Sequence, residues 1–139
     1  MQISNDIINE LYLKASKVME TAYVPYSKFK VGAAILDEKN QIHIGSNVEN
    51  SAYPVGNCAE ASAISAMISS KGKKIIAIAV TGYGNMLCTP CGGCRQRIRE
   101  FSEPNTPVII GNENGIQKVF TLNDLLPFSF GPENLNENN

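Results

Sequence analysis

The chain has a single histidine, His43. That scarcity excludes most imidazole-based chemistry, because no Ser/His/Asp arrangement can be built without this one residue. His43 sits between Ile42 and Ile44 on a strand-like run, and alternation points it to solvent. Long apolar runs are also missing. None approaches the roughly 20 residues needed to cross a bilayer, so no membrane partner is expected. A basic excess is missing too: 12 Lys and Arg stand against 13 Asp and Glu, a formal net charge of -1. A domain that grips a phosphate backbone usually carries a clear positive surplus, so no nucleic-acid partner is expected. Internal repeats and low-complexity tracts are absent. The N-terminus turns polar and acidic at Asn5 and Asp6, with neither an apolar h-region nor a small-residue cleavage site, and a soluble, cytoplasmic protein is the expectation.

What is present suits one ordinary domain. At 139 residues and 43% apolar content the chain is long enough to bury a real core. A catalytic domain over residues 1–135 and a flexible tail over 136–139 are expected, the polar run from Asn134 onward reading as frayed. Four cysteines in a reducing compartment read as metal ligands or thiols rather than disulfides.

Periodicity supplies a coarse order of elements. Ile7, Ile8, Leu11, Ala15, Val18, Met19 and Ala22 follow a helical period behind Ser4 as N-cap. Residues 30–36 and 41–48 form a hairpin around the polar turn 37–40. A second helix starts at Cys58. Residues 74–81, almost wholly apolar, predict a central strand covered on both faces. Pro90 predicts the first turn of a third helix running to about Phe101. Residues 107–111 and 116–121 read as two more strands, and Thr121 with Asp124 caps a short last helix reaching Leu126. The order α-β-β-α-β-α-β-β-α implies an α/β protein with one mixed five-stranded sheet and helices on its faces.

Two motifs carry chemistry: Cys58-Ala59-Glu60, and Pro90-Cys91-Gly92-Gly93-Cys94. Together they supply three soft ligands, Cys58, Cys91 and Cys94, and one carboxylate, Glu60, that need not be a ligand. Zinc held by three protein groups keeps a fourth position for water, the arrangement of a catalytic site. The paired pattern, with His or Cys leading, is the signature of zinc-dependent nucleobase deaminases. Cys91 and Cys94 are three apart, so one helical turn aims both sulfurs the same way. Three thiolates on Zn²⁺ leave net -1, which two helix N-termini partly offset. Glu60 is placed to move protons from the water to a ring nitrogen and to departing ammonia.

Competing readings of the cysteines are weaker. Cys88 would close a four-cysteine structural site, a zinc-stabilised binding module rather than an enzyme, but Thr89-Pro90 separates it from the helix and a closed site leaves Glu60 without a task. A thioredoxin-like use of Cys91-Gly92-Gly93-Cys94 neglects Cys58.

The chain resembles the small, homotetrameric cytidine deaminases over most of its length. Tyr26-Ser27-Lys28-Phe29-Lys30-Val31-Gly32-Ala33-Ala34 is similar to that family's first strand and its approach, Asn47-Val48-Glu49-Asn50-Ser51-Ala52-Tyr53-Pro54 to its nucleoside-binding segment, Pro90-Cys91-Gly92-Gly93-Cys94-Arg95-Gln96 to its second metal motif, and Leu125-Leu126-Pro127-Phe128-Ser129-Phe130-Gly131-Pro132 to its C-terminal segment. The resemblance implies a three-layer α-β-α sandwich, one zinc per chain, a homotetramer, and hydrolytic deamination of cytidine and 2′-deoxycytidine in pyrimidine salvage. It implies that Asn47 and Glu49 bind ribose hydroxyls, that Phe29 packs near the pyrimidine and sugar, and that the Ala59 N–H contacts the base. Tyr53 and Phe130 match residues that complete a neighbouring subunit's pocket. Many members place Arg after the motif's Glu to neutralise thiolate charge. Here that position is Ala61, and either Arg95 takes over part of the work or the two helix ends suffice. A cytosine-antibiotic deaminase and a polynucleotide editor would share the metal motif; the segment from Asn47 to Tyr53 argues for a ribose, and the charge balance against a long strand.

Overall fold

The computed structural model describes residues 3–136. Its first element, α1 (Asn5–Met19), begins as the pattern predicts, with Ser4 Oγ accepting from the Ile7 N–H at 3.3 Å. Leu11, Ala15 and Met19 recur every fourth residue and are buried along one stripe. β1 (Val31–Asp37) and β2 (Ile42–Ser46) form the antiparallel hairpin, and Asn40 takes the left-handed backbone, φ 65°, that its turn requires. α2 (Ala59–Ser69) leads to β3 (Ile75–Gly82), and α3 (Gly92–Glu100) to β4 (Pro107–Asn112). β5 (Gly115–Thr121) returns antiparallel to β4. α4 (Leu122–Leu125) opens with a full capping box between Thr121 and Asp124, and α5 (Pro132–Asn136) closes the described chain.

The five strands make one mixed sheet in the order β2-β1-β3-β4-β5. β3 pairs antiparallel with β1 and parallel with β4, and the parallel step carries α3 as its crossover. Nearly every β3 residue is buried, as expected of a strand covered on both faces. One face packs Leu11 and Ala15 of α1 against Ala34, Ala77, Ala79 and Ile109. The other sets Ala63 and Met67 of α2, Ile98 of α3 and Leu122 of α4 on Ile35, Ile78, Val80 and Ile110. The result is the three-layer α-β-α sandwich. Its consequence for function is that α2 and α3 lie on the same face with their N-termini together.

Three expectations are corrected. His43 does not face solvent: it is buried, its Nε2 2.7 Å from Asp37 Oδ2. Gly45, on the same side of β2, is pressed against α2, and strand parity carries His43 under that layer while Ile44 is exposed. Pro90 precedes α3 rather than opening it, because Cys91 takes the extended N-cap conformation. Asn134 belongs to α5; of the expected tail, Asn136 ends that helix and residues 137–139 lie outside the described ones. Among the described residues no helix is long and apolar enough to cross a membrane.

Candidate active site

Cys58 is the N-cap of α2 and Cys91 the N-cap of α3, so both motifs sit at helix starts whose leading N–H groups lack intrahelical partners. Cys94, one turn into α3, is buried, and its Sγ lies 2.9 Å from Cys58 Sγ. Glu60 is 4% exposed in the first turn of α2. One sulfur each from Cys58 and Cys94 and a carboxylate oxygen of Glu60 all lie within 4.8 Å of one another. Cys91 heads α3 with an exposed side chain and is not in that group. The N-cap backbone is extended where the helical reading assumed a turn.

The electrostatics are those of a polar pocket at two helix ends. Cys58 is pulled down to about 6, first by the Cys94 thiol that donates to it, then, against the cost of burial, by the Ala61 N–H and the Arg97 guanidinium. The same sulfur-to-sulfur hydrogen bond pushes Cys94 up. Burial pushes the Glu60 carboxyl up, and the charge of Cys58 adds to the effect. A carboxyl raised in this way takes up and returns protons closer to neutral pH. Cys88 stands apart, packed against the core, and burial pushes its thiol up to about 11.

Zinc fits this donor set. Thiolate sulfur is a soft ligand that suits it, and two Zn–S bonds of about 2.3 Å in a tetrahedron hold their sulfurs about 3.8 Å apart, within an ångström of the spacing here. Cys58, Cys94 and Glu60 already converge, and Cys91 heads the helix that carries Cys94.

Beside the metal end runs a cleft of about 480 Å³, lined by Tyr26, Ser27, Asn47, Val48, Glu49, Asn50, Tyr53, Gly56, Asn57 and Cys58. Asn47 Oδ1 accepts from the Val31 N–H and its Nδ2 donates to the Phe29 carbonyl, both at 2.9 Å. Glu49 accepts from the Tyr26 and Ser27 N–H groups at 3.0 and 3.1 Å and from the Ser27 hydroxyl, and that hydroxyl heads the contacts that hold its carboxyl below the usual range. Tyr53, largely exposed, faces Tyr26 with ring centroids 5.9 Å apart. Ala59 is fully buried as the first residue of α2. Phe29 and Phe130 are not in the cleft lining: the Phe29 ring lies against Gly82, and Phe130 is exposed with its carbonyl accepting from Gln96.

A family model for the cytidine and deoxycytidylate deaminase zinc-binding region matches residues 6–110, a span that holds both cysteine motifs. The chain belongs to the cytidine deaminase family. It is 42% identical over 128 residues to a cytidine deaminase of Sporosarcina psychrophila, covering 92% of this chain and 94% of that one. It is 39% identical to that of Halalkalibacterium halodurans, covering 91% and 96%. The crystal structure of the Burkholderia pseudomallei cytidine deaminase superposes with a TM-score of 0.84 at 36% identity, over 92% of this chain and all of that one. As a member of this family the protein is a hydrolase that deaminates cytidine, and zinc is its metal.

One residue of the site escaped the sequence reading. Arg97, not Arg95, faces the sulfurs, its Nη1 3.6 Å from Cys58 Sγ and 3.5 Å from Cys94 Sγ. Arg95 is held elsewhere, donating to the Pro90 and Leu125 carbonyls and to Thr89 Oγ1. Arg97 follows Cys94 by three and shares its helix face, a relation that singles it out only once the start of α3 is fixed.

Proposed function

We propose that the protein deaminates both cytidine and 2′-deoxycytidine, releasing uridine or 2′-deoxyuridine and ammonia, as a cytoplasmic enzyme of pyrimidine salvage whose catalytic domain spans residues 1–135. The observation that carries this reading is the cleft lined by Asn47 and Glu49 that runs to Cys58, because a nucleoside lying in it has its base at the metal end. The volume falls within the range of small-molecule sites. Cys58, Cys91 and Cys94 are the ligands in this reading. Zinc bound there supplies a polarised water at neutral pH.

The chain's own groups do the rest. Glu60 takes a first proton from the attacking water and passes it to the ring nitrogen next to C4 as the C4–O bond forms, then takes that oxygen's remaining proton and passes it to the amino group as the C4–N bond breaks and ammonia leaves. Its burial favours the neutral form that must donate. The Ala59 N–H, free at the helix start, is the base contact. Asn47 uses one Nδ2 hydrogen on Phe29 and keeps the other for a sugar oxygen, while Glu49 retains a lone pair for a sugar O–H. Phe29 packs near the pyrimidine and sugar, and Tyr53 and Phe130 complete the pocket of a neighbouring subunit in a homotetramer.

A site that hydrogen-bonds a hydroxyl suffers when the substrate lacks it, since its own buried polar groups are left unpaired. Loss of the 3′-hydroxyl should therefore cost far more in kcat/KM than loss of the 2′-hydroxyl, and Glu49→Ala should erase most of that difference. Equal use of cytidine and 3′-deoxycytidine by the unmodified enzyme would remove Asn47 and Glu49 from this role.

A second reading has one observation in its favour. Glu60, rather than Cys91, shares the 4.8 Å cluster with Cys58 and Cys94, which would make the carboxylate a ligand.

A further inference from the structure

α3 presents three arginines, and only one faces the thiols. Arg95 is bound to backbone and Thr89, and Arg99 to Ser129 and Glu133. Arg97 reaches back over the start of its helix to Cys58 and Cys94 together. Two small residues leave it that path. A Cβ on Gly93 would already come 3.3 Å from Arg97 Nη1, and Ala61, in the first turn of α2, lines with Arg97 the groove between the two helices. A long side chain at position 61 would occupy the same groove from the opposite wall.

We propose that Arg97 is a positioning residue that neutralises the zinc–thiolate cluster from α3, the task that Ala61 leaves undone on α2. This rests on the reading of Cys58, Cys91 and Cys94 as the ligands. Three thiolates and one divalent ion sum to -1, and a guanidinium that is always protonated brings the sum to zero. Donation to sulfur favours the thiolate, the form that binds metal, and withdraws electron density from it, so the ion polarises its water more strongly. Groups that contact metal ligands from behind typically contribute about 10–100-fold in metal affinity or activity.

The test compares the zinc-loaded parent with Arg97→Gln, Arg97→Lys and the double variant Ala61→Arg/Arg97→Gln, each folded by circular dichroism. Zinc transfer to a colorimetric chelator and the kinetics of cytidine turnover are read side by side. Arg97→Gln is expected to lose zinc about 10–100-fold more readily and to lose kcat with KM within about twofold, because Arg97 lies outside the substrate cleft. The cation returned from position 61 should recover most of both losses, and Arg97→Lys part of them. Unchanged zinc retention in Arg97→Gln overturns the inference, as does a loss that neither cation recovers. A parent protein without zinc overturns the ligand assignment itself and this inference with it.

Discussion

Glu60 has two possible employments, and a single atom separates them. Glu60→Gln keeps the shape and removes the exchangeable proton. If the carboxylate is the proton carrier, zinc content and thermal stability stay near those of the parent, while kcat falls by at least the 10²–10⁴-fold that one general acid–base group typically contributes. Cys91→Ser should then strip the metal, and Cys88→Ser should not, since Cys88 is half-buried against the core, outside the convergent group, with its thiol pushed up to about 11. Zinc lost from Glu60→Gln and retained by Cys91→Ser would mean that Glu60, as the 4.8 Å cluster suggests, is the ligand. At this scale the residue types and spacings of the two motifs were legible in the chain, because metal chemistry restricts them tightly. The guanidinium was not, because Arg95, Arg97 and Arg99 are equivalent as letters; only the start of α3 and the small residues at 61 and 93 decide which one turns inward.

Elements set the metal site by how closely they approach. Gly45 of β2 lets α2 lie directly on the sheet: a Cβ there would fall 2.5 Å from the Ala63 nitrogen and 2.8 Å from the Ala59 carbonyl oxygen. Both are backbone atoms, so the helix as a whole must shift. Gly45→Ala is expected to destabilise the fold by about 1–3 kcal/mol, read from the denaturant midpoint, and to lower kcat by displacing Cys58 and Glu60 together. A variant as stable and as active as the parent would show that α2 is not seated by this contact. The hairpin before it has its own lock. Burial raises the Asp37 carboxyl, but the His43 side chain and the Gln41 and Lys39 N–H groups outweigh it and leave Asp37 below its ordinary 3.8. A carboxyl depressed in the fold contributes stability above its unfolded value and loses it as pH falls through the folded one. The stability gap between parent and Asp37→Asn should thus be largest above about pH 5 and shrink below about pH 3. A gap that does not change over that window would leave Asp37 without the role. The strands and caps here were readable because propensity and burial agree along them. His43 was misread because alternation gives a period, not a phase. Two apolar neighbours suggested the wrong side, and only the pressing of Gly45 on α2 sets the side that is buried.

At the scale of the whole molecule, the aromatic groups left outside are the feature that one chain does not account for. Phe128 is fully exposed, Tyr53 and Phe130 are more than half exposed, and Met86 and Val55 add to the apolar surface. Phe128 also holds a positive φ of 52°, a conformation that a bulky residue adopts at a cost of about 1–3 kcal/mol. A chain that strains its backbone to present a ring to water gains nothing from it; burying that ring against a second copy returns about 1.5–3 kcal/mol. Exposed apolar clusters of this kind mark association surfaces. The expected state is a homotetramer, a particle of four 15.1 kDa chains by light scattering at assay concentration. Phe128→Gly separates strain from interface, since it relieves the backbone and deletes the ring at once. If the ring only meets solvent, the variant gains stability and keeps its mass. If it is an anchor, the particle falls to smaller species and activity per chain drops with it, because Tyr53 and Phe130 then have no neighbouring site to complete. A fully active parent that scatters as a single 15.1 kDa chain would end the tetramer reading.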